Sequence, residues 1–136
     1  MKTHTTNYFN TFIEVAEDTK ATNGTKPPSK TNKTVAELQY ELIVNQPYFY
    51  SSDDVLFKVF AFKNDLTETE LEKAREIFFS KGQPCFRASP LTKMYGFGIH
   101  SNSEGKIALY GLETPEYQKL VDDPSLKKVK AMKSSR

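Results

Sequence analysis

Two stretches of the chain have the hydrophobic pattern of β-strands. In residues 10–16, the β-branched Thr11, Ile13 and Val15 alternate with other side chains, which predicts a half-buried strand. Residues 55–63, VLFKVFAFK, are apolar at both alternations except at Lys58. This second pattern predicts a central strand that is covered on both faces.

Helix signals lie between and after these stretches. Residues 34–37, TVAE, and 67–70, TETE, have the spacing of a capping box, in which a threonine and a glutamate satisfy backbone N–H groups at a helix start. The first helix must end by Pro47, and the second is expected to stop at a left-handed Gly82. Proline after a capping residue, at 89–90 and at 114–115, predicts two short helices.

Residues 97–102 and 106–112 predict a hairpin. A four-residue loop would place Phe97 and Ile99 on the opposite face from Ile107 and Leu109. A three-residue loop, with Gly105 as a left-handed bulge, places all four on one face, and the pattern therefore favours it.

The order of these elements predicts an α+β fold: one domain over residues 1–136, with a small, mostly antiparallel sheet of about four strands and helices packed against it. Residues 19–33 carry no large apolar side chain, and we expect them to form a mobile loop. Residues 125–136 form a basic tail, which the pattern leaves open between a helix and an edge strand.

Charge and composition narrow the class of protein. The tail contributes +5 to a net charge of +2, so the rest of the chain is acidic. Because the tail has no aromatic residue on which bases could stack, it resembles a solvated terminus more than a nucleic-acid-binding segment. A single cysteine excludes internal disulfides, and there is no apolar run of membrane-spanning length or secretory leader. We therefore expect a cytoplasmic protein without membrane contacts.

Candidate chemistry concentrates in residues 82–100, GQPCFRASPLTKMYGFGIH. Cys85 could act as a nucleophile if His100 or Arg87 lowered the pKa of its thiol. The alternative is a small buried hydrophobe, because Cys85 lies between Pro84 and Phe86.

An anion site is the second hypothesis for this stretch. Ser89 caps a predicted helix whose free N–H groups attract anions, Arg87 could clamp a phosphate or carboxylate, and Lys93 lies about one turn further on. The alternative is a capped helix in which Arg87 pairs with Asp53 or Asp54.

A glycine-rich strand face is the third candidate. The three-residue loop places Gly96, Gly98 and His100 on one face, with Ala108 and Tyr110 opposite. This arrangement suggests a shallow floor on which His100 and Tyr110 contact a ligand, with His100 as a general acid or base. Alternatively, the glycines accommodate a packed helix.

Metal and cofactor sites find no support in the sequence. Two histidines without a carboxylate cluster at ligand spacing, and one cysteine, do not predict a metal centre. There is no phosphate-binding loop or dinucleotide fingerprint, so we expect no metal and no cofactor.

The segments TNYFNTFIEVAED, SSDDVLFKVFA, KGQPCFRASPLTKMYGFGIHS and GKIALYGLE resemble an uncharacterised family of small bacterial and fungal proteins, domain of unknown function 6157. The resemblance runs from about Thr5 into the tail, is weakest in residues 19–33, and implies one cytoplasmic domain without any assigned activity.

Two functions remain open. One is a binding protein or an enzyme that takes a small anionic ligand near residues 85–110 through Arg87, Ser89, Lys93, His100 and Tyr110. The other is an interaction module that uses the basic tail on an acidic protein or a nucleic acid. The sequence indicates neither a reaction nor an oligomeric state.

Overall fold

A four-stranded sheet forms the centre of the protein in the computed structural model, which describes residues 3–133. The strands are β1 (Thr11–Glu14), β2 (Phe97–Ser101), β3 (Ile107–Gly111) and β4 (Lys127–Lys130), in the order β3-β2-β1-β4. β1 pairs antiparallel with β2, and β2 with β3, whereas β4 runs parallel to β1. The predicted α+β class and the mostly antiparallel sheet are confirmed.

Five helices accompany the sheet: α1 (Val35–Asn45), α2 (Ser52–Lys63), α3 (Leu71–Phe78), α4 (Pro90–Lys93) and α5 (Pro115–Asp122). Single 3₁₀ turns cover Glu68–Glu70 and Phe86–Ala88. Thr34, Ser89 and Thr114 cap α1, α4 and α5 through their side chains, as the sequence predicts. α3 instead ends at Phe78, and Gly82 does not adopt a positive φ, so the predicted left-handed stop is wrong.

The predicted hairpin register is confirmed. Ile99 pairs with Leu109 and His100 with Ala108, so the apolar residues of β2 and β3 share one face. Gly105 has a φ of +80°, as the three-residue loop requires.

Residues 55–63 are helical and not a central strand. Ser51 and Asp54 form a capping box that starts α2, because each side chain accepts a hydrogen bond from the other residue's backbone N–H. Val55 and Val59 lie one turn apart and are buried, while Phe62 on another side of the helix is 61% exposed. The apolar run therefore reflects a helix with surface aromatics.

The fourth strand comes from the basic tail. Lys127 donates its backbone N–H to the Asn10 carbonyl at 2.9 Å, and Ala131 donates to Glu14 at the same distance. Lysines are frequent on exposed sheet edges, where they oppose pairing with other chains. Of the two alternatives for the tail, a helix or an edge strand, residues 127–130 form the edge strand, and residues 134–136 lie outside the described part.

The sheet has a helical layer on each face. On one face Ile13, Ile99 and Ile107 join a core to which α1, α2 and α4 contribute, for example through Leu38 and Leu91. On the other face Phe12 meets Tyr117 of α5 edge to face, with the ring centroids 4.9 Å apart. These two layers divide the candidate site residues between them.

Residues 19–33 contain no helix or strand, in agreement with a loop. The Gly24 N–H donates to Glu113 at 2.8 Å and the Thr25 N–H to the Tyr95 carbonyl at 2.8 Å. These contacts hold one part of the loop against the domain, and its mobility stays a prediction.

Candidate functional site

The stretch 82–100 passes from one side of the sheet to the other. Its first part, the 3₁₀ turn at 86–88 and α4, belongs to the layer of α1 and α2, whereas His100 in β2 projects from the opposite face together with Phe12, its partner in β1. The five predicted ligand residues consequently do not form one cluster.

Ser89 is enclosed by the protein. Its hydroxyl accepts from the Leu91 N–H at 3.1 Å and donates to the Gln39 Oε1 at 2.7 Å, and its exposed fraction is 6%. α4 is only four residues long. The hydroxyl thus connects α4 to α1, and both of its hydrogen bonds are made within the fold.

Arg87 lies at the outer edge of β4. Its Nε donates to the Lys130 carbonyl at 2.7 Å, and its own carbonyl accepts from the Met132 N–H at 2.8 Å. The alternative pairing with Asp53 or Asp54 is wrong. Asp53 accepts hydrogen bonds from Thr5 and Thr6, and Asp54 pairs with Arg75 at 3.0 Å.

Lys93 is the last residue of α4 and belongs to the same layer as Ser89. Its backbone N–H donates to the Ser89 carbonyl at 3.0 Å. Binding of an anion by Arg87 and Lys93 stays a prediction, because the positions of the two residues do not show whether their side chains hold a ligand.

His100 and Tyr110 are brought together by a third residue, Tyr48. The Tyr48 hydroxyl lies 2.7 Å from the His100 Nδ1 and 2.7 Å from the Tyr110 hydroxyl. Sequence reasoning missed Tyr48, which lies between α1 and α2 far from the hairpin. Its N–H donates to the Ile107 carbonyl at 2.8 Å and its φ is +59°, a left-handed conformation that is uncommon for a bulky residue.

Burial shifts the pKa values of two residues in this cluster. Burial lowers the pKa of His100, and the nearby Asp123 opposes this effect. Burial and the hydrogen bond to Tyr110 both raise the pKa of Tyr48. His100 is therefore neutral at pH 7 and its Nδ1 can accept from the Tyr48 hydroxyl. The three groups form a partly buried relay of phenol, phenol and imidazole.

The glycine-rich face does not leave an open floor. A Cβ on Gly98 would lie 2.4 Å from the Phe12 Cζ and 2.7 Å from the Tyr117 Cε2, and a Cβ on Gly96 would lie 2.2 Å from the Asn23 carbonyl oxygen. The protein's own aromatic rings and loop backbone occupy the space that the glycines leave. The alternative interpretation, a packed helix, therefore applies to Gly98, which faces Tyr117 of α5, whereas Gly96 accommodates the backbone of the 19–33 loop.

Cys85 begins the 3₁₀ turn at 86–88 and is partly exposed. Its Sγ lies 3.5 Å from the Tyr8 hydroxyl. Burial raises the pKa of Tyr8, and so does the contact with Cys85, while Arg87 acts in the opposite direction. The thiol therefore faces a neutral phenol and has a guanidinium in its neighbourhood.

A cavity of about 360 Å³ lies beside Cys85, between α1, α2, the end of α3 and residues 83–90. Its volume is within the range of small-molecule sites. The walls are mostly apolar, with side chains that include Val35, Leu56, Val59, Phe60, Phe78 and Pro90.

Gln39 supplies a buried polar group to this cavity. The residue is 4% exposed and its Oε1 accepts from Ser89. Within residues 3–133 no acceptor is bonded to its Nε2, and no fully enclosed side-chain nitrogen or oxygen there lacks a partner. The Gln39 amide N–H groups therefore open onto the cavity that the residue lines.

Three further polar residues surround the opening. The Asn64 Nδ2 donates to the Phe60 carbonyl and the Gln83 Nε2 to the Phe78 carbonyl, each at 2.8 Å, so one N–H of each amide is used within the protein. Lys63 is exposed, and no described carboxylate forms an ion pair with it. The buried Gln39 amide and the exposed Lys63 ammonium therefore offer a ligand a hydrogen-bond donor and a positive charge.

A larger groove of about 1010 Å³ separates α1, α2 and α3, with Phe49 and Phe62 exposed along it. Both acidic and basic side chains line it, including the Asp54–Arg75 ion pair. The groove therefore shows no charge preference for one kind of partner.

Two statements about metal ions and membranes hold for residues 3–133, the part of the chain that the structure describes. No group of three or more His, Cys, Asp or Glu side chains is placed to hold a metal ion. None of the helices in this part of the chain has the length and apolar character that crossing a bilayer requires.

Comparison with known proteins gives one match. The model of a family of unknown function, DUF6157, matches residues 3–136. No curated protein and no solved structure matches the chain.

Proposed function

The chain belongs to this family of unknown function, and we propose that the protein binds a small amphipathic molecule, with an apolar body and an acidic head group, in the cavity beside Cys85. The observation that carries the proposal is the Gln39 amide, a buried hydrogen-bond donor without a protein acceptor in a largely apolar cavity. Because this amide is accessible from the cavity, a ligand oxygen would take the place of water on it, and such an exchange contributes about 0.5–1.5 kcal/mol.

The apolar walls of the cavity are the reason for proposing a ligand with a hydrocarbon body. Burying hydrocarbon against Leu56, Val59 and Phe60 contributes roughly 25 cal/mol per Å² of apolar surface removed from water. The Gln39 amide then fixes the position of one oxygen, and a few well-placed polar groups in an apolar pocket are typical of sites that select a ligand.

Lys63 provides the reason for an acidic head group. Its ammonium lies on the cavity rim, where an ion pair with a carboxylate is exposed to solvent and contributes up to about 1 kcal/mol. The anionic ligand expected from the sequence is thus kept, while its contacts move from Arg87 and Lys93 to Lys63 and Gln39.

Octanoate is a suitable first probe, with 1-octanol as the uncharged control and sodium phosphate as the head group without a body. At one hundred times its Kd, a ligand of the native state stabilises it by about 2.7 kcal/mol. We therefore expect octanoate to raise the melting temperature by several degrees, octanol to do so less, and phosphate not at all.

Two alanine-to-phenylalanine variants locate the site. Ala88→Phe fills the cavity with a ring, whereas Ala61→Phe makes the same change on α2 facing the larger groove. Octanoate should stabilise wild type and Ala61→Phe but not Ala88→Phe. Equal stabilisation of both variants, or none of wild type, would contradict the proposal. Stabilisation by phosphate that Arg87→Ala abolishes would instead support an anion clamp at Arg87.

A further inference from the structure

Cys85 and Gln39 both line this cavity, and the Tyr8 hydroxyl lies 3.5 Å from the Cys85 Sγ. Cys85 starts the 3₁₀ turn that ends at Ser89, since the Ala88 N–H donates to the Cys85 carbonyl at 2.9 Å. Ser89 in turn holds the Gln39 amide through a 2.7 Å hydrogen bond. Cys85 is therefore linked to the Gln39 side chain through one backbone turn and the Ser89 hydroxyl.

Resting on the proposed function, we propose that Cys85 is a nucleophile that adds to an α,β-unsaturated carbonyl compound bound in the cavity. The ligand class follows from the two polar functions present. A thiol attacks an electrophilic carbon, and an amide N–H directed into an apolar space stabilises an oxygen on which negative charge develops.

Tyr8 and Arg87 are the polar neighbours on this side of Cys85. A cysteine reacts as its thiolate, which hydrogen-bond donors and cations stabilise. The Tyr8 hydroxyl, 3.5 Å from the Sγ, can donate to it, and Arg87 lies near enough to influence Tyr8. This is a different environment from the buried, inert cysteine that the flanking Pro84 and Phe86 suggest.

The addition is balanced without an oxidant or a leaving group. The Cys85 sulfur forms a bond to the β-carbon and the carbon–carbon π bond breaks. Its electrons move to the α-carbon and the carbonyl oxygen, where the enolate accepts a hydrogen bond from the Gln39 amide. The proton released by the thiol ends on the α-carbon, and the product is a thioether adduct of the whole ligand.

Intact-protein mass spectrometry with trans-2-octenal tests the inference. Cys85 is the chain's one cysteine, so Cys85→Ser measures the background on lysine and histidine. We expect an adduct that forms at least about tenfold faster than with N-acetylcysteine, because removal of one such donor in other enzymes costs about 10²–10³ in rate. A rate equal to that of N-acetylcysteine would overturn the inference.

Two variants separate the roles of the donors. Gln39→Leu should slow addition of octenal at least about tenfold while leaving alkylation by iodoacetamide unchanged, since iodoacetamide forms no enolate. Tyr8→Phe should slow both reagents, because the donor to the sulfur is lost. If Gln39→Leu slows both reagents equally, or neither, the assignment of Gln39 is wrong.

Competition distinguishes this inference from the proposed function. Octanoate should protect Cys85 from octenal in wild type and in Ala61→Phe. If octanoate binds while octenal reacts no faster than with free thiol, the covalent step is wrong and the binding function stands. If octanoate neither binds nor protects, the binding function fails, and so does the inference that rests on it.

Discussion

The substitution Gly98→Ala tests whether the glycine-rich strand is a packing device. The added Cβ would lie 2.4 Å from the Phe12 Cζ and 2.7 Å from the Tyr117 Cε2. Neither ring can move easily, because Phe12 is fully buried and the Tyr117 hydroxyl accepts from the Val15 N–H at 3.0 Å. Room for the methyl group must therefore come from displacement of packed rings.

The expected loss follows from two opposing effects. Overpacking a core costs about 1–3 kcal/mol, and replacing glycine stabilises by about 0.4–1 kcal/mol through the unfolded chain. Because both contacts are far below normal separation, we expect a net loss of about 2 kcal/mol. With an unfolding entropy of about 2.1 cal/mol/K per residue, the melting temperature should fall by about 7 °C.

Gly82→Ala is the matched control in calorimetry and urea unfolding. The same methyl group at Gly82 meets only the His4 Nδ1, at 3.9 Å, and its φ is not positive. We expect a change of less than about 0.5 kcal/mol there. Phe12→Leu combined with Gly98→Ala should cost less than the sum of the two single variants, since the smaller side chain makes room. Wild-type stability of Gly98→Ala, or strict additivity, would refute the packing argument.

Three further predictions concern stability. Burial lowers the pKa of His100 in the folded state, and Asp123 opposes this effect. The contribution of His100 to the free energy of unfolding should therefore be complete above about pH 6.5 and be lost as the pH falls towards the folded-state pKa. In urea unfolding, the difference in stability between pH 5 and pH 7 should be smaller for His100→Gln than for wild type. Tyr48→Phe removes both hydrogen bonds of the relay and should cost about 1–3 kcal/mol in the same assay, whereas Tyr50→Phe, whose hydroxyl has no described partner, should cost much less. Ser51→Ala should cost about 1 kcal/mol by loss of the α2 cap, and an unchanged midpoint would count against that cap.

Local signals account for the elements that the sequence predicts well. The hairpin register follows from alternation and loop length, and the helices at 35, 90 and 115 follow from capping residues whose hydrogen bonds span only two or three positions. The capping box of α2 is an equally local signal, at Ser51 and Asp54. The predicted strand over residues 55–63 takes no account of it and rests on an apolar run, which periodicity alone cannot assign to a strand or a helix.

Long-range pairing accounts for what the sequence does not show. The pattern KKVK becomes β4 only because β1, more than one hundred positions earlier, offers a free edge. Tyr48 reaches His100 and Tyr110 only because residues 48–51 run along the outer edge of β3. Neither contact can be predicted from the spacing of residues that are close in sequence.

The candidate site depends on a local sequence signal and on a long-range contact. Residues 83–90 are contiguous, and their cysteine and capping serine mark them as chemically unusual in the sequence. The partner that gives them a function is Gln39, a polar residue inside α1 whose helix propensity is unremarkable in itself. The exposed fraction of Gln39, 4%, and the position of its amide at an apolar cavity depend on the folded chain and cannot be predicted from the neighbouring sequence. For that reason the cavity replaces the anion clamp as the better hypothesis, although both begin from the same stretch of sequence.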